Sequence, residues 1–228
     1  MKVLFGAIVV DGRGKIGGHV MSKNRAGAFM RTKVTPINRK SSFQTGVRSR
    51  LAAISSAFKS LGASVITSWN AAVADFQHTN IFGHKIHPSG AQLYQKLNNN
   101  LLLVGASQIT TPPLPVAVGN CGVISLTGAK GTPTLSLTLS TVPVTGETVA
   151  VYATAGLSAG KNFVKSEYRF IGTITHSDTS PKDLLSVYVA KFGAMPAAGK
   201  KIYVKVKNIN NTTGQAGSPL TTSCVVAS

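Results

Sequence analysis

Between residues 12 and 61 the chain carries eleven basic residues and not one Asp or Glu. They are Arg13, Lys15, Lys23, Arg25, Arg31, Lys33, Arg39, Lys40, Arg48, Arg50 and Lys59. A run of one sign repels itself, and it is tolerated only against something anionic or against the acidic surface of another subunit. Bases on exposed strands also deter edge-to-edge aggregation, but that purpose does not call for eleven of them without an acid. The stretch therefore reads as a contact region, with Arg13, Lys15, Lys23, Arg25, Arg31, Lys33, Arg39, Lys40, Arg48 and Arg50 as the partner or anion contacts.

The whole chain shares this imbalance. Its 228 residues hold 24 Lys and Arg against 6 Asp and Glu, a net charge of +18, although only 13% of residues are charged. Acids are scarce, rather than bases abundant. Residues 1–110 carry 14 bases and 2 acids, and residues 111–228 carry 10 and 4, so the excess lies at the front. With 43% apolar residues the chain has enough material for ordinary cores, as one large domain or two smaller ones.

Residues 1–10 read as an N-terminal strand, because their apolar run is short for a signal peptide and lacks a small-residue cleavage pattern. Residues 18–23 and 28–34 read as a basic hairpin turning through Asn24-Arg25-Ala26-Gly27. A two-residue loop opposes Lys23 to Met30, whereas a three-residue loop aligns Lys23 and Arg25 with Arg31 and Lys33. After Pro36, Ser41-Ser42 offer helix caps. Val47, Leu51, Ile54, Phe58 and Leu61 then form one apolar face, with Arg48, Arg50 and Lys59 outside it. Gly62 ends that helix, and Ser64 is expected to cap a second one bearing Ile66, Trp69, Val73 and Phe76, with Trp69 as packing anchor. His78, His84 and His87 read as loop residues, since no Cys or Glu lies near them and the one close acid is Asp75. Pro88 and Ser89 open a third helix carrying Leu93, Leu97, Leu101 and Val104.

Residues 110–115, TTPPLP, divide the chain into a basic helical contact domain (1–109) and a second domain (116–228). In the latter, residues 134–140, 148–155, 168–175, 184–191, 201–207 and 221–226 read as short strands between Gly, Pro, Asn and Ser. The expected fold is α+β: a basic hairpin, a helical hairpin and a third helix, followed by an antiparallel sandwich of the immunoglobulin or fibronectin III type. The fibronectin variant is favoured, because no Cys-Trp-Cys core is present. Cys121 and Cys224 have no metal-ligand spacing and read as two buried thiols.

No enzyme chemistry is expected. The six acids, Asp11, Asp75, Glu147, Glu167, Asp178 and Asp183, form no pair on a helix face. No nucleophile elbow occurs, and Gly12-Arg-Gly-Lys-Ile-Gly17 lacks the context of a dinucleotide fingerprint and reads as a turn. No cofactor or metal is expected.

Gly14-Lys15-Ile16-Gly17, Asn24-Arg25, Met30-Arg31, Pro36-Ile37-Asn38, the helix over 48–58 and Trp69-Asn70 carry a resemblance that covers roughly the first hundred residues. In these the chain resembles a family of uncharacterised proteins encoded by phages and prophages of Bacteroidetes-type bacteria. It departs from the family at Asn38-Arg39-Lys40, where a second proline is expected. The resemblance implies a non-enzymatic virion protein of capsid, portal or tail, made in the host cytoplasm, with no membrane partner. Its partners would be other copies of itself and other virion proteins with acidic surfaces. The alternative is a nucleic-acid-binding or packaging-associated protein using the same bases, although Phe29 and Phe43 give little for single-strand stacking. A third reading, recognition by the second domain, would need loop aromatics, whereas Tyr152, Tyr168, Tyr188 and Tyr203 fall in strand-like runs and are expected to pack.

Overall fold

A computed structural model of the chain describes residues 1–6, 11–24, 27–38, 40–122 and 124–228. Four short strands open it: β1 (Lys2–Val3), β2 (Gly14–Ile16), β3 (His19–Asn24) and β4 (Gly27–Thr32), antiparallel in the order β1-β4-β3-β2. Gly17-Gly18 turns β2 into β3, and Gly17 takes a left-handed φ of 54° that disfavours a side chain. Pairing of β3 with β4 runs out to Asn24 opposite Gly27. That corrects both expected alignments, because Lys23 then faces Ala28, and Met21 faces Met30. Alternation along the strands puts Lys23 on one face with Met21, Ala28 and Met30, and Arg31 on the other with Val20 and Phe29.

Helix α1 (Ser42–Lys59) starts at the Ser41 cap, where Ser41 and Gln44 bond reciprocally to each other's backbone N–H groups. Helix α2 (Ala63–Ala72) is bent from α1 by 112° and continues as a 3-10 turn over Val73–Phe76. Its N-cap is Gly62, which corrects the assignment to Ser64: the extended backbone at Gly62 starts the helix at the very next residue. A small hairpin, β5 (His78–Thr79) and β6 (Lys85–Ile86), leaves His78, His84 and His87 exposed. Helix α3 (Gly90–Leu103) is capped by Ser89 with Gln92 in the same reciprocal pattern. Ile54, Trp69, Val73, Leu93, Tyr94 and Leu97 form the helical core. Trp69 meets Tyr94 edge-on at 5.2 Å and donates its Nε1–H to the Thr110 carbonyl at 2.6 Å.

The second half contains β7 (Ile124–Ala129), β8 (Thr134–Leu139), β9 (Glu147–Ala153), β10 (Arg169–Thr175), β11 (Lys182–Asp183), helix α4 (Leu185–Phe192), β12 (Lys201–Asn210) and β13 (Leu220–Val225). One antiparallel sheet runs β11-β8-β7 and another β10-β9-β12-β13. Leu135, Leu137 and Leu139 of the first join Val149, Val151, Ile202, Val204 and Val206 of the second in one buried cluster. A parallel bridge joins Ala129, at the end of β7, to Ala227 beyond β13 and so stitches the sheets along one side. The alternation of β12 buries Ile202, Val204 and Val206 while Lys201, Tyr203, Lys205 and Lys207 point away from that cluster. Helices and antiparallel sheets together make the chain α+β.

Residues 184–191, expected as a strand, form α4 instead. Leu185, Tyr188, Val189 and Phe192 have helical spacing, which the β-branched Val187 and Val189 disguise as alternation. Tyr188 is fully buried and donates its hydroxyl to the Thr154 carbonyl at 3.0 Å. Cys121 and Cys224 are free thiols, but only Cys121 is buried as expected while Cys224 is half-buried, and burial pushes Cys121 up to about 11.

Residues 110–115 run between the halves and are bonded towards both. Gln215 spans the segment, donating its Nε2–H to the Leu114 carbonyl and accepting at Oε1 from the Val116 N–H. Asn100 of α3 donates to the Gly214 carbonyl at 2.8 Å and accepts from Lys207. Gly214, at φ 69°, lies so close that a Cβ there would stand 2.3 Å from the Leu97 carbonyl oxygen. Gly214→Ala should therefore cost about 3 kcal/mol or more. In urea denaturation, Trp69 fluorescence and far-ultraviolet dichroism should shift together; a Trp69 transition that stays put would show that α3 and β12 do not support one another.

Candidate partner interface

Among the described residues, none of the first 53 is buried; the sequence of core positions begins at Ile54. The N-terminal sheet contributes no described side chain to either hydrophobic core. Four strands of two to six residues without a buried residue lack the hydrophobic core that so small a sheet needs to be stable by itself. One face has its own partial cover, since Phe5 and Met21 both reach the space beside Gly12. The opposite face carries the cross-strand row Lys15, Val20 and Arg31, with Lys2 opposite Phe29 two residues along.

The predicted contact residues thus fall into four places. Lys15 and Arg31 share the sheet's basic face, and exposed Lys33 follows just beyond β4. Lys23 lies at the tip of the opposite face, and Arg13 is paired with Asp11 at 3.2 Å, the acid just before the basic run. Arg48 donates to Asn38 Oδ1 at 3.0 Å, and the exposed Lys40 bonds the same oxygen through its backbone N–H. Arg25 and Arg39 lie outside the described residues. Arg50 is apart from all of these.

Arg50, expected outside the apolar face of α1, sits on its edge, half-buried. Phe43, Val47, Arg50 and Ile54 form one stripe at helical spacing. Ile54 is fully buried, but Phe43, Val47 and Leu51 are 64%, 55% and 49% exposed, so the apolar face is covered only along its second half. Beside its first half runs a groove of about 840 Å³. Its far walls are Leu102 and Leu103 at the end of α3, Tyr152 of β9, residues 168–170 leading into β10, and Lys191 of α4.

Three bases line this groove, Arg50, Arg169 and Lys191, and among the described residues no acid does. Aromatic rings take the place of carboxylates. Lys191 Nζ stands 3.2 Å from the centre of the Phe43 ring, and Lys205 Nζ lies 4.8 and 4.7 Å from those of Tyr152 and Tyr168. Burial lowers the Lys191 ammonium below the usual lysine value, and Arg169 adds to the effect. Burial raises the Tyr152 phenol, and the nearby Arg50 charge partly counters this. Arg50 Nε is itself buried and donates to no acceptor among the described residues.

Arg169, Lys191, Phe43, Tyr152 and Tyr168 are not singled out by the sequence, in which the tyrosines read as packing residues and α4 as a strand. Helical spacing through 185–192 is the one local signal that could put Lys191 on a helix. Compared with known protein families, curated proteins and solved structures, the chain matches none.

The Lys191 and Phe43 contact joins α4 to α1 and should be measurable. Phe43→Ala should cost about 0.5–1 kcal/mol, and clearly less when introduced into Lys191→Gln. Equal destabilisation in both backgrounds, read by denaturant titration, would mean that the ring gives the ammonium no support.

Proposed function

We propose that the chain is a non-enzymatic structural protein of a phage virion, a capsid, portal or tail component. Its basic N-terminal half docks onto an acidic neighbour, and its second half is displayed as a fibronectin-like sandwich. The observation that carries the docking role is the N-terminal sheet, which contributes no described side chain to either core and leaves a basic face and apolar side chains open to another molecule. The phage setting rests on the resemblance of the N-terminal motifs. The sandwich reading is supported by two antiparallel sheets, β11-β8-β7 and β10-β9-β12-β13, that share one buried cluster, with α4 inserted between β11 and β12.

The neighbour's acidic surface belongs to a different virion protein. Of the chain's own acids, Asp11, Glu167 and Asp178 are paired with Arg13, Lys161 and Lys182, and Glu147 accepts from Asn208. Asp183 accepts the Leu185 N–H at 2.8 Å, and exposed Asp75 is the one acid of the six whose carboxylate is left without a bond among the described residues. Repetition of the docking contact around an assembly would multiply modest ionic contacts through valency.

The test replaces Lys15, Arg31 and Lys33 together by Gln. Particles purified from the producing host should contain the wild-type chain and much less of the variant, while the melting temperature is retained. The competing reading is phosphate neutralisation. In that case the wild-type protein binds duplex DNA tightly, and the substitutions flatten the salt slope by roughly 0.9 for each phosphate no longer neutralised without affecting incorporation. That outcome would make the chain a nucleic-acid-binding protein instead.

A further inference from the structure

We propose that the groove between α1, the end of α3 and the β9–β10 side of the second half is a binding site for a peptide segment of another protein, one that presents carboxylates on either side of a large apolar side chain. This rests on the reading that the partner is acidic and is a different chain, but it concerns a surface separate from the N-terminal sheet.

Charge complementarity commits the site to an anionic occupant. Arg50, Arg169 and Lys191 converge on a space with no carboxylate on its described walls. Arg50 lines the groove with its side chain half-buried, and its Nε is a buried donor without an acceptor among the described residues. Lys191 is partly desolvated and disfavoured by Arg169, and an anion between them would offset the repulsion and favour the charged ammonium. Arg169 is steadied through Nη1 by the Ser166 and Tyr168 carbonyls at 2.9 and 3.1 Å.

The remaining walls ask for something other than charge. Val47, Leu102 and Leu103 are aliphatic, and Phe170 meets Tyr152 edge-on at 5.7 Å. A groove of about 840 Å³ is far larger than a small inorganic anion needs and is of a size for several side chains. This favours a peptide over a nucleic acid. Base stacking needs clear aromatic platforms, whereas Phe43, Tyr152 and Tyr168 each carry a lysine ammonium over the ring. A second copy of the N-terminal sheet is an unsuitable occupant, since its own face carries Lys2, Lys15 and Arg31.

The purified full chain can be titrated by fluorescence anisotropy with a labelled short peptide of alternating Glu and Leu. Matched peptides replace Leu by Ser or Glu by Lys, and an oligo-dT of equal charge completes the set. The Glu–Leu peptide should bind about tenfold or more tightly than the Glu–Ser peptide, and the Lys–Leu peptide should not compete. Arg50→Gln and, separately, Lys191→Gln should each weaken Glu–Leu binding by about tenfold, with the native melt retained by at least one of them. Replacing Lys15, Arg31 and Lys33 by Gln should leave this affinity unchanged. Equal binding of the Glu–Leu and Glu–Ser peptides would reduce the site to surface charge and overturn the proposal. So would loss of binding in the sheet variant alone, which would leave docking through the sheet standing. Oligo-dT that displaces the peptide and is itself released by Arg50→Gln would make the groove a nucleic-acid site. A chain missing from particles that still binds the Glu–Leu peptide through Arg50 and Lys191 would overturn the virion reading and leave the groove intact.

Discussion

Too few counter-charges is the condition to which the rest of this structure answers. With 24 bases and 6 acids, ion pairing can neutralise only a minority of the positive charge. Among the described residues it produces three ion pairs, all between residues two to six positions apart in sequence. Such local, partly exposed pairs contribute little to stability. The long-range contacts made by the bases go to other groups: Lys191 to Phe43, Lys205 to Tyr152 and Tyr168, Lys207 to the Asn100 amide, and Lys130 to the Met195 carbonyl. Ring quadrupoles and neutral dipoles stabilise a cation without cancelling it, so the molecule keeps its field after folding.

Neutral amides have a comparable part in joining the halves. Asn98 fixes the end of the first half through two hydrogen bonds with the backbone of Ile109, while across the junction Asn100 reaches Gly214 and Gln215 grips both Leu114 and Val116. Asn98, Asn100 and Gln215 are all buried, where a satisfied amide fixes one geometry and an unsatisfied one is expensive. The proline-bearing segment between the halves is therefore held by specific donors and acceptors as well as by its own stiffness. That matters for the groove, whose walls come from both sides of this junction.

Much of the fold was legible because its determinants are local. Ser41 with Gln44 and Ser89 with Gln92 announce two helix starts within four residues, and the stripe Leu93, Leu97 and Leu101 is buried as its spacing requires. The hairpin register was not legible, since Asn24 and Gly27 can frame loops of different length and one step of register moves every side chain to the other face. Strand β2 reads as a turn in the sequence and β5 and β6 as loop, and β7 and β11 were missed as well; strands of two or three residues such as β2, β5, β6 and β11 carry no periodicity. The contact run was visible as a charge pattern, but its division over two sheet faces, a helix start and a groove depends on pairing and packing. Least legible was the groove, where Phe43, Arg50, Tyr152, Arg169 and Lys191 are brought together from separate places in the chain. Spacing rules read neighbours along one element, and nothing in any one of those elements points at the others.

The start of α1 is where these surfaces become mechanically linked. Lys40 precedes the cap with φ 49°, a left-handed conformation that costs a side-chain-bearing residue about 1 kcal/mol. Asn38 Oδ1 offsets it by accepting from both the Lys40 N–H and the Arg48 guanidinium, which ties the chain leaving the N-terminal sheet to the first turns of the helix. Ser41 and Gln44, whose reciprocal bonds set that helix start, also form part of the groove wall. The same few residues therefore fix how the basic sheet leaves the helix and how the mouth of the groove is shaped. The bonds that orient the incoming chain and those that start the helix share one turn of backbone at the Ser41 cap.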